Sequence, residues 1–164
     1  MYKTGDFVVH PGQGVCKVTE VTDGPQALYK LLPLGNRHSL VITLPVEFED
    51  RLRPVLSRQE AQDLIDSYPE LEVDDYTDRN NSLEEEHYKN EIKNGTCLDT
   101  LRIAKTFRRR IRLANEENKK APVVYERILK QASERSLSEL AVALDTTPED
   151  VAERFRARMG DAEA

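Results

Sequence analysis

The sequence predicts an α+β chain in two parts, a small, strongly bent β sheet or barrel over residues 1–56 and an all-α region over residues 57–164. Three observations predict it. Short β-type runs separated by Gly, Pro, Asn and Asp fill the first 46 residues. Beyond them, apolar residues recur at three- and four-residue steps behind repeated helix-capping signatures. Charge is also segregated: residues 47–91 net −10 and residues 102–130 net +7, in a chain of 164 residues whose formal net charge is −6.

The β runs are "DFVVH", "GVCKVTEV", "ALYKLLP" and "HSLVITLPV", with "PGQG", "TDGPQ" and "LGNR" as the turns between them. Strands this short and closely spaced fit a small barrel or bent sheet. "SRQE" then predicts a helix capped by Ser57. "SLEE" predicts a second, capped by Ser82 and ended by a left-handed stop at Asn94–Gly95. The segment between them, "PELEVDDYTDRNN", is predicted to be an acidic, exposed connection. Thr96 is the expected cap of a long helix reaching about Asn115, with Leu98, Leu101, Ala104, Phe107, Ile111 and Ala114 as its core stripe. Pro122 suits the first turn of the next helix, which buries Tyr125, Ile128, Leu129 and Ala132. "SLSELAVAL", with a capping box at Ser136 and Glu139, and "TPEDVAERFRARM", capped by Thr147, complete a set of five or six helices.

Composition narrows the function classes. The N-terminus lacks the apolar core of a signal peptide, and no apolar run approaches the roughly 20 residues of a bilayer span, so a cytoplasmic protein is expected. Cys16 and Cys97 lie far apart without a CxxC or a His at ligand spacing, and both are expected to be buried thiols. An enzyme is not predicted. His10, His38 and His87 have no evident nucleophile or metal partner, and "PGQG" lacks the Lys and Ser/Thr of a phosphate loop. No catalytic residue, cofactor or metal is therefore expected.

"RIAKTFRRRIR", residues 102–112, places six basic residues in eleven positions. Arg102, Lys105, Arg109 and Arg112 step by three and four residues along one side of the helix. Arg108 and Arg110 flank them, and Lys119 and Lys120 follow in the next loop. Such a cluster neutralises phosphates without reading bases, and five contacts would give a slope of log affinity against log salt near about −4.5. The competing expectation is a solvated face whose arginines pair with the acidic block at 69–91.

"YKTGDFVVHPGQGVCKVTEV", "LVITLPVE", "RPVLSRQEAQDLI" and "YKNEIKNGT" together resemble the CarD/CdnL family of bacterial transcription regulators. The resemblance implies a Tudor-like or SH3-like N-terminal domain that binds the β subunit of RNA polymerase by pairing strand edges. It also implies a helical domain that touches double-stranded promoter DNA beside the melted bubble, modulating open-complex stability without catalysis. On that basis Val41, Ile42, Thr43, Leu44 and Pro45 are the expected polymerase contact. Lys89, Arg102, Lys105, Arg109, Arg112, Lys119 and Lys120 are the expected DNA contacts of a monomer associated with the nucleoid. Some family members carry Arg where this chain has Thr43. Polymerase binding without DNA contact is the alternative.

The resemblance departs at one position. Family members usually present a Trp four residues before the Tyr of the "YK" helix, wedged against an unstacked base pair. Counting back from Tyr88 lands on Glu84. A carboxylate beside phosphates is repelled, so weaker open-complex stabilisation is expected, with Tyr76 and His87 as the remaining nearby rings. "SELAVALDTTPEDVAERFR" has helix-turn-helix spacing, but Glu149, Asp150 and Glu153 occupy the half of the second helix where base-reading residues would sit. Leu140, Leu144, Val151 and Phe155 are expected to pack instead.

Overall fold

The computed structural model describes residues 1–35 and 40–160. The chain divides into two compact units, Met1–Ser57 and Arg58–Ala164. His38 and Ser39, the first two residues of the expected "HSLVITLPV" strand, lie outside the described residues.

The first unit is one antiparallel sheet of five strands: β1 (Phe7–His10), β2 (Gly14–Val21), β3 (Leu28–Pro33), β4 (Ile42–Pro45) and β5 (Arg53–Pro54), in the order β4-β3-β2-β1-β5. Gly14 adopts a φ of 74° where "PGQG" reverses the chain, a left-handed conformation that favours glycine. Alternate residues face inward and build a core of Val8, Cys16, Val18, Tyr29, Leu31, Leu44 and Leu52. The Tyr29 hydroxyl is satisfied there, donating to Glu49 at 2.6 Å and accepting from the Tyr2 amide at 3.1 Å.

The expected barrel is an open sheet. Closure would require β4 and β5 to share a ladder. β4 has four residues and β5 two, each ends in a proline that cannot donate, and a 3-10 turn over Val46–Arg51 separates them.

The second unit holds α1 (Arg58–Ser67), a 3-10 turn (Tyr68–Glu70), α2 (Asn81–Asn94), α3 (Cys97–Glu116), α4 (Val123–Leu144) and α5 (Pro148–Met159). Thr96 caps α3 through a reciprocal box with Asp99, and Thr147 caps α5 by accepting from the Asp150 amide, both as predicted. Elsewhere the caps differ. Asn80, not Ser82, caps α2, its carboxamide oxygen accepting from the Ser82 and Leu83 amides. Gly95 ends α2 in an extended conformation (φ −88°, ψ 178°), so the predicted left-handed stop is not formed. Glycine is needed there for space: a Cβ would lie 2.5 Å from the Glu91 carbonyl oxygen. Pro122 sits one residue before α4.

The two helices expected over residues 122–144 are a single α4. Ser136 is buried within it, its hydroxyl donating back to the Ala132 carbonyl at 2.8 Å, and Glu139 is buried as well. A capping box in the sequence is overridden where the flanking residues, Ile128 and Ala132 before it and Leu140 and Leu144 after it, continue one buried stripe.

The core joins Tyr88 and Ile92 of α2, Ile103, Ala104 and Phe107 of α3, and Ile128 and Ala132 of α4. On α3 the buried stripe runs Cys97, Thr100, Leu101, Ile103, Ala104, Thr106 and Phe107. Leu98 is exposed, and Ile111 and Ala114 are only half-buried. Leu140, Leu144, Val151 and Phe155 are buried as expected, and Phe155 meets the Tyr68 ring edge-on at 4.7 Å. Cys16 and Cys97 are buried, one in each unit.

Candidate functional site

In the sheet unit the feature of interest is the β4 edge. Its register against β3 pairs Leu28 with Pro45, Tyr29 with Leu44, Lys30 with Thr43 and Leu31 with Ile42. The Val46 amide bonds the Ala27 carbonyl at 3.0 Å, and the backbone of Leu28 turns the other way, to Thr22. In an antiparallel ladder these bonds alternate. Leu44 and Ile42 therefore bond β3, while the N–H and C=O of Thr43 and the C=O of Pro45 point away from it. The Leu44 side chain is buried, that of Thr43 is exposed, and Val41 is 46% exposed just before the strand. Among the described residues no strand covers this edge.

In the helical unit the basic run of α3 is divided among different tasks. The Lys105 ammonium donates to the carbonyls of Tyr68 (2.7 Å), Pro69 (3.1 Å) and Leu71 (2.8 Å), which fixes the start of the acidic connection onto α3. Arg110 pairs with the carboxylate of buried Glu84 at 2.7 Å and donates to the Tyr76 carbonyl at 2.6 Å. Its guanidinium lies 4.9 Å from the Phe107 ring centre. Arg108 donates to the Tyr68 hydroxyl at 3.2 Å. Arg112 is half-buried.

What remains toward solvent is a smaller set. Arg109 and Lys120 are exposed. Lys119 is exposed beside Glu117 at 3.4 Å, and Arg102 lies 3.6 Å from Asp99. Lys89 shares Glu85 with Arg127, whose two guanidinium bonds to that carboxylate measure 3.0 and 2.9 Å. Arg127 first and Lys89 second hold the Glu85 carboxyl down at about 2.

Glu84 does not sit where a phosphate would meet it. Glu84 and Tyr88, one helical turn apart, both face the interior, and the second Glu84 oxygen accepts from the Asp78 amide at 3.2 Å. Burial raises the Tyr88 hydroxyl pKa, and that hydroxyl donates to the Tyr76 carbonyl at 3.0 Å. The connection over residues 71–80 is exposed in part, as expected, at Glu72, Asp75, Thr77, Arg79 and Asn80, while Leu71, Val73, Asp74, Tyr76 and Asp78 are half-buried. Tyr76 and His87 stack on each other with ring centres 3.8 Å apart.

Beside that stack a groove of about 500 Å³ is lined by Asp74, His87, Asn90, Glu91, Asp99 and Arg102, among others. The His87–Glu91 spacing of four was visible in the sequence, whereas the approach of Asp74 was not.

Residues 2–56 match the family model of the CarD-like/TRCF RID domain. The sheet unit is similar to the CarD-like/TRCF RID domain over that segment. Domains of that family are RNA polymerase-interacting domains. The match spans about a third of the chain and leaves the helical unit outside it. No curated protein matches the chain. No helix among the described residues is long and apolar enough to cross a membrane.

Proposed function

We propose that this protein is a non-enzymatic transcription regulator whose RID domain binds the RNA polymerase β subunit by strand addition at the β4 edge. The open Thr43 backbone carries this reading. A partner strand laid against it completes both hydrogen bonds that β3 leaves unused, and Val41, Ile42 and Pro45 flank that contact. Thr43 contributes no charge where some family members carry Arg, so affinity rests on backbone pairing and apolar flanks.

The helical unit is proposed to touch promoter DNA through phosphates, by way of Arg109, Lys119 and Lys120, with Arg102 and Lys89 at the cost of weak surface pairs. Lys105 acts inside the fold instead. With Glu84 turned inward there is no wedge against the bubble, and open-complex stabilisation is correspondingly weak. The protein is read as a cytoplasmic, nucleoid-associated monomer.

The test is Thr43→Pro, which removes the outward N–H while leaving the bonds from β4 to β3 in place. Binding to the purified polymerase β subunit should weaken at least tenfold with the sheet retained by circular dichroism. Unchanged affinity would refute edge pairing. Polymerase binding with no salt-dependent affinity for duplex DNA would select the protein-only adaptor.

A further inference from the structure

We propose that Asp74, His87 and Glu91 form a binding site for a divalent first-row transition-metal ion of the Zn²⁺ type. One ligand atom from each lies within 4.8 Å of the others. His87 Nε2 and Glu91 Oε1 are 3.2 Å apart on consecutive turns of α2. Metal–nitrogen and metal–oxygen bonds of about 2.0–2.1 Å in a tetrahedral sphere put neighbouring ligand atoms roughly 3.3 Å apart, so this pair already spans one edge of such a sphere.

A His and a Glu four residues apart are common on helix surfaces. What distinguishes this pair is the third ligand and the way it is held. The Asp74 amide donates to the Thr106 hydroxyl at 2.8 Å, its carbonyl faces Arg110 at 3.5 Å, and its Oδ1 accepts from the Tyr76 amide at 2.9 Å. Those bonds fix the backbone of Asp74 against α3 and orient its carboxylate. The His87 ring is positioned in turn by stacking on Tyr76, with an interplanar angle of 21°. Supports of this kind around the ligands make a metal site specific and cut its ordering cost.

Ligand chemistry selects the ion. An imidazole with two carboxylates suits Zn²⁺ and its first-row neighbours better than Mg²⁺ or Ca²⁺, which take all-oxygen shells. Three protein ligands leave at least one position facing the groove for water. Because Asp74 belongs to the connection and the other two ligands to α2, the ion would clamp residues 71–80 to the helix.

The test uses the full chain, freed of metal by a chelator. Calorimetric titration with Zn²⁺ and visible absorption with Co²⁺ should show one equivalent bound. His87→Ala, Glu91→Gln and Asp74→Asn should each weaken binding at least tenfold, and His10→Ala, in the other unit, should leave it unchanged. In the unmodified chain, Zn²⁺ should slow amide exchange across residues 72–79. Absence of stoichiometric uptake, uptake lost in His10→Ala instead, or Glu91→Gln and His87→Ala both binding within twofold of wild type would overturn the site.

Discussion

At the scale of single residues, Arg110 decides the most. It neutralises a carboxylate that is almost wholly buried, closes the Tyr76 carbonyl and lies over the Phe107 ring. Removing one partner of such a pair leaves an unpaired charge in the interior, at a cost of about 3–5 kcal/mol. Arg110→Ala should lower the urea-unfolding free energy of the helical unit by that amount. Glu84→Trp breaks the same pair from the other side, so it is no clean way to restore a wedge. Glu85 supplies a pH test. Its folded-state pKa, about 2, lies below its ordinary value of 4.5, so its stabilising pair is fully present above pH 4.5 and is lost as pH falls toward 2. Glu85→Gln should therefore lose stability relative to wild type at pH 6, with the gap narrowing between pH 4.5 and 2 in urea unfolding followed by circular dichroism. The inward turn of Glu84 was not legible, since the sequence placed it beside phosphates and its partner Arg110 lies 26 positions away. The pairing of Glu85 with Arg127 was not, because the two are 42 positions apart.

At the scale of elements, the cations of α3 and of the loop that follows it are divided between the fold and the surface. Lys105 and Arg110 bind the connection, while Arg109, Lys119 and Lys120 remain at the surface. Arg109, Lys119 and Lys120 changed together to Ala should reduce the slope of log affinity for duplex DNA against log salt by roughly 2.7, at about 0.9 per lost phosphate contact. Thermal unfolding should be nearly unchanged, since none of the three supports the core. Including Lys105 in that set would confuse the result, because its ammonium satisfies three carbonyls and its loss loosens residues 68–71. Helical periodicity put the cations on α3 correctly. It could not say which of them the connection would claim, since that depends on where residues 68–76 lie against the helix.

At the scale of the whole molecule, the proposed function joins two weak binding surfaces in one chain. Linked modules raise each other's effective concentration, and overall affinity exceeds either alone by about 10²–10⁴. Thr43→Pro, or the triple alanine change, should each cost that factor on a polymerase–promoter complex. Each should leave affinity for the other, isolated partner unchanged, a comparison that filter binding at fixed salt can make. By itself the sequence determined the α+β division, the β-type runs of the N-terminal sheet, the caps at Thr96 and Thr147, and the resemblance of the N-terminal segment. All of these rest on interactions among residues close in the chain or on motif order. Only the tertiary structure decided that the sheet stays open, that α4 is continuous through Ser136, that Glu84 and Lys105 work inside the fold, and that Asp74 reaches His87. Each of those outcomes depends on contacts between residues distant in sequence, where packing and the need to satisfy buried charge override local signals.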